Sequence, residues 1–346
     1  MKLAPKTILI VLHGSIGDVT RAIPLANLLR RGFPRARITW SIESAALPLI
    51  EHHPAVDEIV LFEREDWRRT LRPFLHRIRE RNFDLVLDLQ RHLKSGLVSW
   101  WSRAPERVGF HRRDAKELNW LFNNRHIPPA SNGTSKLDHY LKFAEFLGIE
   151  PYPIEWKFSL LPEEEAGVGN MLREVGGPFA AYLVGGRWES KRWFPDEAAK
   201  SAAEVRRRHG LEIVLLGGKD DIAFAGEIER RAEARVFNWT GRTSLRQVIG
   251  ILSRAELSVG PDSGLMHLSA AVGTPVVSLW GPTDPIRTGP FGCGELIVQG
   301  QAVCAPCYLK RCPIGRVCMR SITSEAVLEK IDLALARKGK AREAWT

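Results

Sequence analysis

Val259-Gly260-Pro261-Asp262-Ser263-Gly264-Leu265-Met266-His267, running on to Leu279-Trp280-Gly281-Pro282-Thr283-Asp284-Pro285, decides how this chain is read. An apolar strand enters a Gly-Pro turn, then a helix start, then a second apolar strand and a second Gly-Pro turn. Strand-to-helix turns of this kind leave backbone N–H groups free at a helix N-terminus, where the dipole favours an anion. Asp262 and Ser263 are both good N-cap residues. Taken alone, the segment therefore also reads as a capped helix in an ordinary α/β domain.

Outward from this segment the chain alternates between two periodicities. Lys6 to Leu12 is a continuous apolar run, the mark of a strand buried on both faces. A helical pattern follows over Val19–Leu29, then strand Ile38–Ile42, helix Ala45–His52, strand Glu58–Phe62, helix Trp67–Arg81, strand Asp84–Leu89 and helix Ser95–Trp101. Ser135–Leu147 reads as a closing helix. Residues 148–178 are punctuated by Gly and Pro around a short helix over Glu163–Glu174, and the domain linker is placed there. A second series runs from strand Ala180–Val184 through helix Asp196–His209, strand Glu212–Leu216, helix Asp221–Ala234, strand Val236–Asn238, helix Leu245–Ser253 and strand Leu257–Val259. It ends with helix Gly264–Val272, strands Val276–Leu279 and Leu296–Val298, and a last helix Thr323–Ala336. Strands separated by helices imply parallel βαβ units in two tandem halves. Ligands of such sheets bind at the carboxyl ends of the strands, so two such edges are expected to face a cleft.

Bulk properties agree. A chain of 346 residues suits two domains of roughly 150 residues each. Its hydrophobic fraction of 44% and charged fraction of 26% are those of a globular protein. No run of about 18 apolar residues is present to span a membrane. The apolar stretch near the N-terminus is too short for a signal peptide and is read as the first buried strand, giving a cytoplasmic expectation. The formal net charge of +10 favours anionic partners, with simple solubility as the plainer explanation. The cations cluster in residues 64–81 and 103–116, interleaved with Trp67, Phe74, Trp100, Trp101 and Phe110. Aromatics among arginines suit a membrane interface, and no nucleic-acid-binding signature accompanies them.

Two loops carry candidate chemistry. His13-Gly14-Ser15-Ile16-Gly17-Asp18 follows the first strand. Asp18 stands there at a helix start, either as a cap or as a general base, and by spacing alone the cap is the commoner use. This GxxGD pattern is not the dinucleotide fingerprint GxGxxG. Gly185-Gly186-Arg187-Trp188-Glu189-Ser190-Lys191-Arg192-Trp193-Phe194-Pro195 follows the first strand of the second half. A glycine pair lets backbone donors approach phosphate, and Lys191 or Arg192 would neutralise it.

The order GSIGD, GGRWESKRWFP, TGRTSL at 240–245, GPDSGLMHLSAAVGTP and LWGPTDPIRTGP resembles glycosyltransferase family 9, the ADP-heptose:lipopolysaccharide heptosyltransferases, over nearly the whole chain. The resemblance implies a GT-B fold, α/β with two Rossmann-like parallel-sheet domains facing a cleft. It implies an acceptor domain at 1–160, a nucleotide-sugar domain at 175–322 and a C-terminal helix at 323–346 packing back on the N-terminal domain. It implies inverting transfer of a heptose or related sugar from an ADP-sugar to a lipopolysaccharide core or lipid A-type acceptor, with no cofactor required. Asp18 matches the catalytic base. Lys191 and the helix start at Asp262, Ser263 and Gly264 would stabilise the departing diphosphate. Gly185, Gly186, Thr240, Gly241, Thr243 and His267 complete the implied donor site. Gly17 and Lys94 would meet the acceptor, although a surface lysine at a helix start explains Lys94 equally well. The protein is expected at the cytoplasmic face of the inner membrane, in peripheral contact with it and with no nucleic-acid partner. His13 receives no role.

Cys304, Cys307, Cys312 and Cys318 are clustered, and the first pair has zinc-type spacing. Similar cysteines in some relatives imply a structural rather than catalytic role, as free or redox-labile thiols first and as a structural zinc site in the alternative. Two further functions share the architecture: a nucleotide-sugar 2-epimerase, whose acid–base residues differ, and a non-catalytic sugar-nucleotide-binding protein.

Overall fold

β1 (Thr7–Val11) opens the chain with Ile8, Leu9, Ile10 and Val11 fully buried, as its unbroken apolar run requires. The computed structural model describes residues 4–343, with side chains as far as residue 337. The first series continues as α1 (Ile16–Gly32), β2 (Arg37–Glu43), β3 (Glu58–Phe62), α2 (Trp67–Glu80), β4 (Leu85–Asp88), α3 (Leu93–Trp101), β5 (Glu106–Gly109), β6 (Arg125–His126) and α4 (Lys136–Phe146). The second comprises α5 (Pro162–Val175), β7 (Phe179–Leu183), α6 (Pro195–His209), β8 (Glu212–Leu216), α7 (Ile222–Arg231), β9 (Val236–Asn238), α8 (Leu245–Leu252), β10 (Leu257–Pro261), α9 (Gly264–Ala271), β11 (Val276–Trp280), α10 (Pro285–Thr288), β12 (Ile297–Gln299), α11 (Val317–Arg320) and α12 (Ser324–Glu343).

The chain divides into two units, 1–159 and 160–346. The first holds the sheet β3-β2-β1-β4-β5-β6 and the second β12-β11-β10-β7-β8-β9. Counted from the first strand of each unit, both follow the doubly wound order 3-2-1-4-5-6. All described pairings are parallel, for example Ile10 opposite Leu87 across β1 and β4, and Val259 opposite Val277 across β10 and β11.

Three differences from the sequence reading have local causes. The segment read as helix Ala45–His52 is a 3₁₀ turn, Ser44–Leu49, in which Pro48 removes a donor that an α-helix needs. β5 and β6 were not read at all: Glu-Arg-Val-Gly and Arg-His have no strand pattern of their own and form by extending the sheet beyond β4. The helix placed inside the linker, α5, belongs to the second unit, where the Arg246 guanidinium on α8 grips the Glu164 carboxylate at 2.6 and 2.7 Å. α12 buries Val327, Leu328, Ile331 and Ala334, an apolar stripe at helical spacing, and packs on α6 and on β10–β12 of its own unit.

His13 extends β1 into the core. Its Nε2 lies 2.7 Å from Ser41 Oγ and its ring stacks on Phe62 at 4.9 Å. Burial pushes its pKa down from 6.5 to about 4. Between those values the unfolded chain binds a proton here that the folded chain refuses. Stability is therefore full above pH 6.5 and falls as pH drops toward 4, by about 3 kcal/mol at most. Urea unfolding of His13→Gln is expected to show a shallower loss of stability between pH 7 and 4.5 than the parent; an identical slope would refute the assignment.

Candidate active site

In each sheet the strand order reverses between the first and fourth strands, and the carboxyl ends there form the crevice in which open α/β sheets bind ligands. In the second unit these strands are β7 and β10. β7 feeds the loop Gly185–Phe194, and β10 feeds Asp262 and α9. The two loops meet through Lys191 and Asp262: Lys191 Nζ lies 2.6 Å from Asp262 Oδ2, and Thr283 Oγ1 donates to the same oxygen at 2.8 Å. Lys191 Nζ also sits 4.4 Å above the Trp188 ring. Both charges are largely shielded, with side-chain exposures of 15% and 11%.

Asp262 and Ser263 suggested a capped helix, yet neither caps α9. Asp262 is engaged by Lys191 and Thr283. Ser263 holds the N-cap position in an extended conformation, but its side chain makes no capping bond. Its hydroxyl oxygen is buried with no protein partner. The first-turn amides of α9, beginning with Gly264, thus keep their need for an acceptor, and the dipole points positive at the Lys191–Asp262 pair.

The hydroxyls of Thr240 and Thr243, beyond β9, are likewise buried without protein partners. A buried unpaired hydroxyl costs about 1–3 kcal/mol, so its retention calls for a reason. Three such groups fall among the residues read as donor-binding. Gly241 carries the turn between the two threonines with φ +72° and donates its N–H to Gly217 O at 3.0 Å. At Gly185 a Cβ would stand 2.3 Å from Asp221 Oδ2. Asp221 in turn pairs with Arg192 at 3.0 Å, so Arg192 is committed to the scaffold. At Gly186 a Cβ would meet Trp188 O at an ordinary 3.9 Å. His267 lies buried one turn into α9.

In the first unit the corresponding strands are β1 and β4. Their loops are tied by Gln90, whose Oε1 accepts from His13 N at 2.7 Å and whose Nε2 donates to His13 O at 3.1 Å. The cap of α1 is Ser15, and Asp18 is the third helical residue, closing a capping box. Gly14 allows this, since a Cβ there would come 2.8 Å from Asp18 Cβ. Asp18 does more than cap. Its Oδ1 accepts from Arg21 Nη2 at 2.9 Å and from Lys136 Nζ at the start of α4. Burial raises the carboxyl's pKa, but Lys136 and Arg21 outweigh it and hold Asp18 well below the ordinary carboxylate range. Gly17 is buried in the first turn of the same helix, whereas Lys94 is exposed on the first turn of α3, beyond β4. Asp88 ends β4 fully buried; burial pushes its carboxyl up against hydrogen bonds from Asn119, Ser95, Gln90 N and Asn123. Sequence reasoning missed Lys136, which is 118 residues from Asp18. Arg21 was legible as the i+3 neighbour of Asp18, and Thr283 as part of the Gly-Pro-Thr-Asp-Pro turn.

Among the described residues no three His, Cys, Asp or Glu side chains gather to hold a metal ion. Cys304 is exposed, Cys318 is buried, and all are free thiols. Burial first, then the nearby Cys304, Cys307 and Cys312, push the Cys318 thiol up. Hydrogen bonds anchor their loop: Tyr308 N donates to Pro282 O at 2.8 Å, and Ser190 N and Oγ donate to Lys310 O and Leu309 O at 3.2 and 2.6 Å. The loop thereby braces the residue next to Lys191.

Two tandem doubly wound units of parallel strands are the architecture of the GT-B class. Residues 71–318 match glycosyltransferase family 9 (heptosyltransferase), and the chain belongs to that family. It is 30% identical over 324 residues to lipopolysaccharide heptosyltransferase 1 of Pseudomonas aeruginosa, covering 88% of this chain and 87% of that one. A family 9 glycosyltransferase structure from Veillonella parvula superposes with a TM-score of 0.84 at 20% identity, covering 97% and 99% of the two chains. The E. coli heptosyltransferase WaaC with ADP superposes with a TM-score of 0.74 at 22% identity, covering 95% and 99%. The chain is thus a glycosyltransferase of the lipopolysaccharide heptosyltransferase family, and no match supports the epimerase alternative. No helix among the described residues is long and apolar enough to cross a membrane.

Proposed function

We propose that this glycosyltransferase moves a heptose from ADP-heptose to a lipopolysaccharide core or lipid A-type acceptor, with inversion. The observation that carries the reading is the edge at β7 and β10: Lys191, the uncapped N-terminus of α9 and three unpaired buried hydroxyls. A leaving nucleoside diphosphate gains negative charge as the sugar departs, and a lysine plus a helix dipole oppose that charge where it develops. Diphosphate binding takes Lys191 from Asp262, which is then free to accept from sugar hydroxyls. Thr240 and Thr243 offer hydroxyls toward the nucleotide. In the other unit Asp18 removes the proton from the attacking acceptor hydroxyl as that oxygen bonds to the anomeric carbon and the bond to the diphosphate breaks. Gly17 and Lys94 lie on the acceptor side. The ADP preference rests on the family and on the E. coli relative solved with ADP.

Incubation with ADP-heptose and a truncated lipid A acceptor is expected to release ADP and leave a lipid heavier by one sugar. ADP-sugars should raise the melting temperature more than UDP- or GDP-sugars, since ligand binding to the native state stabilises it. Isomerised nucleotide sugar without acceptor, or a preference for UDP-sugars, would overturn the proposal.

A further inference from the structure

α3 is built inside out. Its buried residues are Ser95, Gly96, Val98 and Ser99, and Ser99 Oγ donates to Asn123 Oδ1 at 2.7 Å while Asn119 Nδ2 reaches Ser95 Oγ at 3.2 Å. Its leucines and tryptophans face outward. Leu93, Leu97, Trp100 and Trp101 are exposed at helical spacing, Trp100 by 55%. A stripe of this kind on the solvent side opposes the usual pattern of a surface helix. The 3₁₀ turn Asn119–Phe122, packed closely on Gly96, extends it with exposed Leu118 and Leu121.

The stripe is bordered by cations. α2 lies beside α3, joined by Trp101 Nε1 donating to Leu75 O at 3.0 Å and Arg79 Nη1 donating to Trp101 O at 3.3 Å. α2 buries only Phe74 and Ile78, and it exposes Arg68, Arg69, Arg72 and Arg77 together with Trp67. Glu80, in its last turn, is its one acidic residue. Residues 91–105 contain Lys94 and Arg103 and no acidic residue. Glu63, Glu65 and Asp66 precede α2, with Asp66 3.9 Å from Arg69, and Glu117 lies 3.2 Å from His92.

We propose that this face, α2 and α3 with the turn at 119–122, docks on an anionic lipid bilayer surface. Tryptophans and leucines enter the headgroup boundary, and the flanking arginines meet lipid phosphates. A protein partner would have to match both the outward tryptophans and a nearly unbroken cationic border, whereas an anionic bilayer offers both at once. The inference deepens the acceptor reading, because a lipid-linked acceptor is presented at such a surface, but it stands on the surface chemistry alone.

The test is co-sedimentation of the full chain with phosphatidylcholine vesicles, with and without phosphatidylglycerol, in the absence of donor and acceptor. Binding is expected to be at least tenfold tighter with phosphatidylglycerol and to weaken with salt. L97Q/W100Q should lower it at least tenfold, and R68E/R72E should abolish the preference for the anionic lipid. Both variants should keep the parent's unfolding midpoint and its turnover on an acceptor glycan stripped of acyl chains. Equal sedimentation with both vesicles, or unchanged binding by both variants, overturns the proposal. So does a dimer in sedimentation equilibrium that L97Q/W100Q dissolves while vesicle binding is absent, because the stripe would then be a contact between copies. A wrong sugar assignment would alter the turnover assay and leave vesicle binding untouched, so the two readings fail separately.

Discussion

Asp18→Asn lowers kcat by about a hundred- to ten-thousand-fold, the range spanned by a lost general base, while donor binding stays near that of the parent. The asparagine matches the carboxylate in shape and can still accept from Ser15, so the start of α1 survives. It cannot take the acceptor's proton. Nor can it balance Lys136 and Arg21, both of which bond to Asp18 Oδ1. Those cations make Asp18 a weak base at rest, since they hold its carboxyl well below the ordinary range. A base in this state acts only if the acceptor draws one cation away, for which a phosphorylated or anionic acceptor is suited. Lys136→Gln is therefore expected to move the Asp18 carboxyl up toward its usual value and to weaken the preference for charged acceptors. The same depression sets a stability trend. Because the folded value is lower than the unfolded one, Asp18 stabilises the fold above the ordinary carboxylate pKa, and this contribution is lost as pH falls below it. Steady-state kinetics at saturating donor, with circular dichroism as the folding control, decides the matter; a folded D18N with near-parent turnover refutes the base.

Lys191→Ala costs about a hundred- to a thousandfold in kcat/KM, as removal of a preorganised group from a developing oxyanion does. Two effects combine. The diphosphate loses the cation it would take from Asp262, and Asp262 is left shielded with the Thr283 hydroxyl donating to it, a negative charge facing an anionic donor. The second effect gives the prediction its sharp form. K191A/D262N should bind ADP more tightly than K191A, because the uncompensated carboxylate has gone, although its turnover stays low. A double-mutant cycle read by both ADP affinity and kcat/KM separates the two terms. An unchanged kcat/KM in K191A, or weaker ADP binding by the double variant than by K191A, would refute this role.

Much of the architecture was legible from local pattern. β3, β8 and β9 fall where apolar spacing placed them, residue for residue, because a short run of strand-favouring apolar residues is a local signal. β5 and β6 were not legible, since Glu106, Arg107 and Arg125 sit in short strands, β6 at the sheet edge, whose shape comes from the neighbouring strand. The candidate site divides in the same way. Asp18, Lys191 and Asp262 stand out through turn motifs, but their electrostatic state does not.

The amino-acid sequence alone determined two tandem parallel α/β units and the strand ends from which the chemistry projects, because hydrophobic period and glycine-rich turns act over a few residues. Only the tertiary structure decided which charges meet there. Lys136 reaches Asp18 across 118 residues, and Lys191 reaches Asp262 across 71. It also showed that α9 is left uncapped and that α3 turns its leucines and tryptophans outward. Such outcomes follow from which side chains converge when the sheets close, and Coulomb and hydrogen-bond energies at 3 Å depend on that convergence rather than on spacing along the chain.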